Sequence, residues 1–505
     1  MKTVGTYILK NKLTAVCAAF VLLFSLIQVI TIWRVRYVAY QDYPSHLYRN
    51  IVLSDYNTAP ERYKEYFLIN WSLAPNQLAD LIVFILSKIF SVQAAIKIFL
   101  SLYYLILPVA CFYCYHSFDP EHTPYILFPA VLSINVCTVL FYMSYLSGMI
   151  FFLFFMGYWI RNRYVHTLKT YAIRAILAAL LYFSHMLPFG LACALIFFMC
   201  ITEKKKLTVI IKEMFVFAPF FIIFILWVIS VKTSYTSTTA LMDLPPLYTN
   251  PMRALRSFFQ SVYPAFFDLT PILFMIAYYI FMISIVITTG IFYRSIKYRN
   301  MFWIVLCLVA ISLFLPKWFI ILDPAQRTIL LLMFLVPLFF PVQKKLLYTF
   351  CIFLIIFTCI LRIQETKFLI NRDTLIAHTV EPFEHIPEKY LKGKIEMLPI
   401  ILPPYTYKPE YHRAFEYFNI LHGGVNPHHI LSIEFTVRYM RKYARPSIYM
   451  TEAKDYPEDT LKEYSFAVVI GKDGTGGQEI MQHLSLFGFT EISGNDITAV
   501  MHKKP

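Results

Sequence analysis

The stretch Leu13-Thr-Ala-Val-Cys-Ala-Ala-Phe-Val-Leu-Leu-Phe-Ser-Leu-Ile-Gln-Val-Ile-Thr31 decides the class of this chain. It carries no charge, and a helix of this length, rising about 1.5 Å per residue, crosses a hydrocarbon core of about 30 Å. Three lysines precede it, as in a signal peptide, but Trp33 and Arg34 follow where a small-residue cleavage site would stand. The run therefore predicts a retained first helix with a cytoplasmic N-terminus.

The composition of the whole chain agrees with that first run. Of 505 residues, 58% are hydrophobic and 18% aromatic, and only 15% are charged. A soluble domain carries about a quarter of charged residues, so most of this chain meets lipid or other helices. Further apolar runs lie near residues 76–90, 92–115, 124–142, 146–160, 170–184, 187–201, 214–231, 269–293, 301–315, 328–341 and 346–362. The sequence predicts a polytopic α-helical membrane protein with about 11 to 13 transmembrane helices.

Basic residues cluster in short segments between these runs, which is the pattern of cytoplasmic loops. Segments 161–169, 202–213, 294–300 and 342–345 are predicted to face the cytoplasm. The loop 34–75, the segments 232–268 and 316–327, and everything after Arg362 are predicted to face outside. The two directions of counting disagree by one crossing between residues 76 and 160. Either 76–90 does not fully cross, or 124–160 is something other than two plain spans.

The net charge and the cysteines exclude several classes of protein. The formal charge of +15 is spread over the loop clusters rather than gathered in one patch, so it reports topology and no nucleic-acid partner is expected. All nine cysteines fall inside apolar runs. Disulfides and a cysteine-type zinc site are therefore not expected.

The chain divides into two parts by composition. Residues 1–362 form the predicted transmembrane domain with its first external loop at 34–75, and residues 363–505 form a predicted extracytoplasmic domain of ordinary single-domain size. Near the C-terminus the sequence predicts a strand at Phe466–Ile470, a loop at Gly471–Gly477, a helix at Gln478–Leu486 and a strand at Ile497–Met501. This βαβ-like order predicts a small soluble α/β domain.

The segment Tyr40-Gln-Asp-Tyr-Pro-Ser-His-Leu-Tyr-Arg-Asn50 after the first span is the most informative for function. Pro44 suits the first turn of a helix, and Asp42 before it lies where the helix dipole favours a carboxylate. Asp42, His46 and Arg49 are spaced to share a face near the membrane surface. This spacing fits a functional site. It fits equally well a second interpretation, in which Asp42 is only a helix cap and the helix is only a brace at the membrane interface.

The layout resembles that of the GT-C superfamily of membrane glycosyltransferases. The resemblance rests on the first helix, the Asp-Tyr-Pro-Ser-His-Leu segment from Asp42 to Leu47, the later Trp71-Ser-Leu-Ala-Pro-Asn76, the further spans and the trailing soluble domain. It implies transfer of a sugar from a polyprenyl-phosphate donor to a glycan, lipid or protein acceptor at the external face of a bacterial-type inner membrane.

The same resemblance implies roles for individual residues. Asp42 matches the acidic residue of the first external loop, which acts as catalytic base or helps to hold a divalent metal, Mg or Mn. Many members carry two acids there, whereas Gln41 and Tyr43 flank Asp42, so the metal stays undetermined and no other cofactor is expected. Arg327 matches a phosphate-contacting basic residue, with Lys317 and Arg49 in reserve. The alternative for Arg327 is a helix anchor in the lipid headgroups.

Two more polar residues lie among the apolar runs. His185, in the turn between two short runs, would contribute polarity to a site if it faces the bundle, and otherwise is an ordinary loop histidine. Asp80, near the outer end of the second apolar run, would line a cavity or reach the interface. Both are candidate substrate-binding residues.

Two other functions are compatible with the sequence. A transporter or flippase of lipid-linked saccharides would also be polytopic and basic at the interface, although such proteins usually carry paired repeats. A non-catalytic assembly protein of the cell envelope, held by its C-terminal domain, is the second.

Overall fold

The structure is a computed structural model that describes residues 12–71, 73–234, 299–314, 318–319, 321–322, 324–340, 344–407, 411, 413–426, 437–439, 456–474 and 476–504. Helices dominate these residues. In chain order they are α1 (Lys12–Arg34), α2 (Tyr43–Asp55), α3 (Pro60–Tyr63), α4 (Leu78–Leu86), α5 (Val92–Phe118), α6 (Leu127–Leu132), α7 (Val136–Val139), α8 (Met143–Asn162), α9 (Leu168–Ser184), α10 (Met186–Thr202), α11 (Leu207–Phe215), α12 (Ala218–Ser234), α13 (Arg299–Ser312), α14 (Pro324–Met333), α15 (Lys344–Glu384), α16 (Glu416–His422), α17 (Glu458–Lys462) and α18 (Gly477–Leu486).

The strands are short by comparison. They are β1 (Phe67–Ile69), β2 (Trp318–Phe319), β3 (Ile321–Leu322), β4 (Met397–Ile401), β5 (Val437–Tyr439), β6 (Phe466–Ile470), β7 (Phe489–Gly494) and β8 (Thr498–Lys503). Short segments of 3₁₀-helix complete the described elements at Pro120–Ile126, Val336–Phe339, Glu388–Tyr390 and Tyr405–Tyr407.

Several helices are long and apolar enough to cross a membrane, as a helical membrane protein requires. Within the described residues four pass on length and composition: α1, α5, α8 and the part Leu347–Glu384 of α15. A fifth span exists if α11 and α12, bent by 57° at a short break, are counted together. Helices α10 and α13 are apolar but shorter. The predicted run 269–293 lies outside the described residues, so the count of 11 to 13 stays a prediction.

Three predicted runs are not single spanning helices, and this corrects the sequence analysis. The run 76–90 forms only the nine residues of α4, about 14 Å long. The run 124–142 breaks into the short helices α6 and α7, and 328–341 stops at Met333. Pro337 accounts for the end of α14, because it lacks the N–H that would bond the Met333 carbonyl, and Asn135 begins α7 by accepting the Thr138 backbone N–H. The run 76–90 thus holds one short helix and 124–160 is not two uninterrupted helices, and the number of crossings in this part stays a prediction.

The chain forms two compact units that interleave along the sequence. The helical unit comprises Met1–Thr31, Leu73–Ala79 and Phe99–Lys367, and the sheet unit comprises Ile32–Ser72, Asp80–Ile98 and Phe368–Pro505. The first loop thus belongs to the same unit as the C-terminal residues. The predicted division at residue 362 follows the sequence alone and stays a prediction.

The sheet unit contains a mixed four-stranded sheet in the order β4-β6-β8-β7. Strand β6 is parallel to β4 and antiparallel to β8, and β7 pairs antiparallel with β8. The predicted strand Phe466–Ile470 is confirmed, and all five of its residues are buried. The predicted βαβ order is wrong. The strand that follows α18 is β7, whose polar residues Thr490 and Glu491 do not resemble a strand pattern. The closing strand β8 runs antiparallel to β6.

The apolar core of the sheet unit joins the first loop to the C-terminal residues. Tyr48 and Val52 of α2 pack in the same cluster as Leu398 and Ile400 of β4 and Val469 of β6. Helix α2 also contacts α16. This packing fixes the backbone that carries Asp42 against residues from the distant C-terminal part of the chain.

Candidate functional site

Asp42 lies at the start of α2 and is not a helix cap in the usual sense. Its side chain makes no capping hydrogen bond to the first backbone amides of the helix. One carboxylate oxygen lies 3.9 Å from Nε of Arg413, and the Asp42 side chain is 13% exposed. The interpretation of Asp42 as only a cap therefore loses its support.

Two tyrosines of this segment are donors rather than proton acceptors. Burial raises the pKa of the Tyr43 phenol well above its ordinary value, so Tyr43 stays a neutral donor at physiological pH. Tyr48, also fully buried, donates its hydroxyl hydrogen to the carbonyl of Gly424. Asp42 is the carboxylate of this segment, and a carboxylate is able to act as a general base.

His46 and Arg49 share a face of α2 as predicted, but a carboxylate from α4 joins them. Nη2 of Arg49 donates to Oδ1 of Asp80 at 2.5 Å and lies 2.8 Å from Nδ1 of His46. The Arg49 and Asp80 side chains are each 2% exposed. Asp80 thus neutralises the charge of Arg49, which makes Arg49 a poor candidate for phosphate contact and explains the burial of Asp80.

Arg327, in the first turns of α14, lies in the helical unit among aromatic and imidazole groups. Its guanidinium carbon is 3.8 Å from the centre of the Tyr142 ring and 5.8 Å from that of Tyr145. Nη1 is 3.3 Å from Nε2 of His185. The residue is 7% exposed. A solvated headgroup anchor would be far more exposed, so the surroundings favour a site residue.

Nε2 is the ring nitrogen of His185 that faces Arg327, and the tautomer of the ring decides whether it carries a hydrogen. His185 caps α10, and its Nδ1 accepts the backbone N–H of Leu187 at 3.1 Å. A neutral imidazole that accepts at Nδ1 carries its hydrogen on Nε2. Nε2 accepts from Nη1 of Arg327 in one tautomer; in the tautomer set by Leu187, the Nε2–H of His185 and the guanidinium of Arg327 are two donors side by side. Such a pair is complementary to an oxygen acceptor such as phosphate.

The backbone near this pair is strained and closely packed. Phe141 is a buried residue that follows α7 in the chain. It adopts φ +58°, a left-handed conformation that costs a bulky residue about 1 to 3 kcal/mol. At Gly148 of α8, a Cβ would lie 3.1 Å from Cβ of His185 and 3.0 Å from Cγ of Pro188. Glycine is therefore needed there for α8 to approach His185 this closely.

Arg327 differs from the other arginines that the structure describes as buried. Arg174 pairs with Glu213 at 3.0 Å, Arg362 with Glu365 at 3.0 Å, and Arg49 with Asp80. No described carboxylate lies within 4.0 Å of Arg327. Its guanidinium lies over the Tyr142 ring and beside the His185 imidazole rather than beside a described carboxylate.

A groove beside α10 adds an apolar surface to the helical unit. It encloses about 690 Å³ and is lined by aliphatic, aromatic and sulfur-containing side chains, among them Cys193, Phe197, Met214 and Phe221. Helix α10 also carries His185 at its N-terminus. One helix thus contributes both to a donor pair and to an apolar groove.

The remaining predictions fall outside what the structure tests. Lys317 lies outside the described residues. In the part of the chain that the structure describes, no three or more His, Cys, Asp or Glu side chains are grouped to hold a metal ion, and the divalent cation stays a prediction. Sequence reasoning missed Arg413 and Tyr142. Charged residues flanking an apolar pair in Arg413-Ala-Phe-Glu416 were the available signal for Arg413.

Comparisons with known proteins bring no family to these residues. No model of a known protein family matches the chain. No curated protein matches it at a significant level either. The function therefore rests on the chemistry of the sites.

Proposed function

We propose that the chain is a membrane glycosyltransferase of GT-C type, which transfers a sugar from a polyprenyl-phosphate-linked donor to a glycan, lipid or protein acceptor. Arg327 carries the proposal. A buried guanidinium without a described carboxylate partner, beside the Nε2–H of His185, suits an anionic phosphate. The apolar groove beside α10 has the character that a polyprenyl chain requires.

In this mechanism Asp42 is the base and Arg327 contacts the leaving group. The acceptor hydroxyl oxygen forms a bond to the anomeric carbon while its proton passes to Asp42. The bond between the anomeric carbon and the phosphate oxygen breaks, and the electron pair stays on the polyprenyl phosphate. Arg327 and His185 stabilise the developing negative charge with two donated hydrogen bonds. The contacts cited for Asp42 lie within the sheet unit, and those cited for Arg327 lie within the helical unit.

The proposed location rests on the apolar runs and basic clusters of the sequence. The chain is integral to the membrane, and the basic clusters favour a cytoplasmic N-terminus and an external sheet unit in a bacterial inner membrane. On that side the acceptors would be envelope glycans, lipids or proteins. A divalent cation would be tested by chelation of the purified protein.

Replacing Asp42 by Asn tests the base. Protein in lipid vesicles is supplied with a panel of radiolabelled polyprenyl-phosphate hexoses and pentoses, and release of polyprenyl phosphate is measured. We expect a loss of about 100- to 10,000-fold in turnover, the usual contribution of a general base. Asp496→Asn is the matched control, since that carboxylate belongs to the same unit and is 72% exposed. Full turnover in Asp42→Asn would remove Asp42 as the base.

Replacing Arg327 by Gln tests the phosphate contact in the same vesicles. Loss of a charged donor costs about 1.5 to 3 kcal/mol, so KM for the donor should rise about 10- to 100-fold. A transporter of lipid-linked saccharides would also lose donor affinity in Arg327→Gln. It would, however, keep donor translocation in Asp42→Asn and release no polyprenyl phosphate in the wild type. That pair of results would favour the transporter.

A further inference from the structure

Arg413 lies between two carboxylates of the sheet unit. Its Nε is 3.9 Å from Oδ1 of Asp42, and its Nη1 is 4.0 Å from Oε1 of Glu416. The Arg413 side chain is 14% exposed. One guanidinium therefore connects the N-terminus of α2 to the first turn of α16, in a setting where solvent screens the charges only in part.

Glu416 is a fixed support for Arg413. Its side chain is fully buried. Oε1 accepts a hydrogen bond from the Ser45 hydroxyl at 3.2 Å, and Oε2 accepts one from Nδ2 of Asn426 at 3.2 Å. Nδ2 of Asn426 also donates to Asn419 at 2.8 Å. A carboxylate held at both oxygens in this way has little rotational freedom.

The packing of α2 against α16 does not depend on Arg413. Ser45 of α2 already reaches Glu416 of α16, and the Tyr48 hydroxyl donates to Gly424 just after α16. Tyr48 and Val52 are moreover buried in the apolar core of the unit. A purely structural tie between the two helices would thus be redundant at position 413.

We propose that Arg413 is a positioning residue for Asp42, anchored by Glu416, which keeps the Asp42 carboxylate ionised and oriented for proton acceptance. This role rests on the proposed function of Asp42. Arginine suits it because a guanidinium stays protonated throughout the physiological range and cannot itself take the proton. The C-terminal part of the chain thereby supplies a residue to the reaction centre of the first loop.

The test measures the protonation of Asp42 directly, so it does not require activity. The carboxyl band of Asp42 is isolated by isotope-edited infrared difference spectra between the full-length protein and Asp42→Asn, over a series of pH values. Arg413→Gln and Arg413→Met are compared with the wild type, and either variant that folds serves. Loss of a cation at this distance should raise the midpoint of Asp42 protonation by about one pH unit. Arg413→Lys should keep the wild-type midpoint.

Arg36→Gln is the matched control. Arg36 belongs to the same unit and pairs with Glu384 at 2.5 Å, so its loss removes the same charge elsewhere. Its midpoint should equal that of the wild type. An unchanged midpoint in a folded Arg413→Gln or Arg413→Met protein would overturn the positioning role.

The activity assay separates this inference from the proposed function. If the wild type transfers sugar and Asp42→Asn does not, Arg413→Gln should reduce turnover most at acidic pH, with the acidic limb moved upward. If Asp42→Asn is inactive and the limb stays in place, the positioning role fails while the glycosyltransferase stands. If the wild type transfers nothing but the midpoint moves, the contact holds and the proposed function fails.

Discussion

Arg49 and Arg327 are both buried arginines, and they are accommodated in opposite ways. Arg49, in the sheet unit, donates to Asp80 at 2.5 Å, and both side chains are 2% exposed. Arg327, in the helical unit, lies against the Tyr142 ring and beside His185, with no described carboxylate within 4.0 Å. The first charge is paired with a carboxylate, and the second lies against an aromatic ring and an imidazole.

The physical reason is the cost of placing a charge in a poorly polarisable environment. A paired arginine offsets that cost within the protein, so the pair contributes to the structure. An arginine held by ring faces recovers only part of the cost, about 0.5 to 2 kcal/mol for a cation–π contact. Binding of an anion beside such an arginine would offset the rest of the cost of burying its charge. The two regions therefore separate a structural ion pair from a candidate binding site.

The largest expected effect breaks the structural pair. Arg49→Met leaves Asp80 as a buried charge without its arginine, which should lower the free energy of unfolding by about 3 to 5 kcal/mol. Arg327→Met strands no described carboxylate, so it should cost much less than Arg49→Met. Thermal unfolding in detergent measures both.

A double variant provides the control for that comparison. Arg49→Met with Asp80→Leu removes both charges and should recover most of the lost stability. Equal losses in the two single variants would contradict the distinction between the pair and the candidate site.

A smaller effect is expected from the ring that faces Arg327. Tyr142→Leu removes the cation–π contact, whose centre lies 3.8 Å from the guanidinium carbon, and should lower the free energy of unfolding by about 0.5 to 2 kcal/mol. Tyr142→Phe keeps the ring and should retain most of the stability. The Leu change in an Arg327→Met background should cost less. If the two Leu effects are equal, the ring does not stabilise the guanidinium.

The smallest effect is expected from a histidine, which, unlike arginine, is able to lose its charge near neutral pH. His422 lies in the sheet unit, and burial is the main cause that lowers its pKa below the ordinary 6.5, with Arg62 adding to it. The unfolded chain then binds more protons than the folded protein as pH falls, so the folded state loses stability below about pH 6.5. Above that pH the neutral imidazole meets the Phe383 carbonyl at 2.7 Å.

The measurement is the unfolding temperature between about pH 7.5 and about pH 5.5. His422→Gln cannot take up the proton, so its unfolding temperature should fall less over this range than that of the wild type. A steeper fall in His422→Gln would reverse the assigned direction of the shift.

Sequence patterns predicted those parts of the fold that depend on local composition. The apolar run from Leu13 to Thr31 lies within α1, and Phe466–Ile470 is a strand with the predicted bounds. The patterns failed between α6 and α7, where Asn135 caps a new helix, because apolar composition alone does not report a local side-chain cap. They failed again at β7, whose alternation is too polar to read as a strand.

The candidate site was predictable only where its residues are neighbours in sequence. His46 and Arg49, three positions apart on one helix, contact each other as the helical period requires. The contact of Asp42 with Arg413 joins residues 371 positions apart, as 413 minus 42 gives. No periodicity of the chain reports such a pairing, because packing of the whole sheet unit creates it.

Composition and run length are enough to predict an apolar, helical chain with a mixed C-terminal part, since burial in lipid and helical length depend on them directly. Only the tertiary structure decided which charges are neutralised. It gave Arg49 a carboxylate from α4, gave Arg327 a tyrosine ring and an imidazole, and brought Arg413 to Asp42. The energy of a buried charge depends on neighbours within about 4 Å, and those neighbours come from distant parts of the chain.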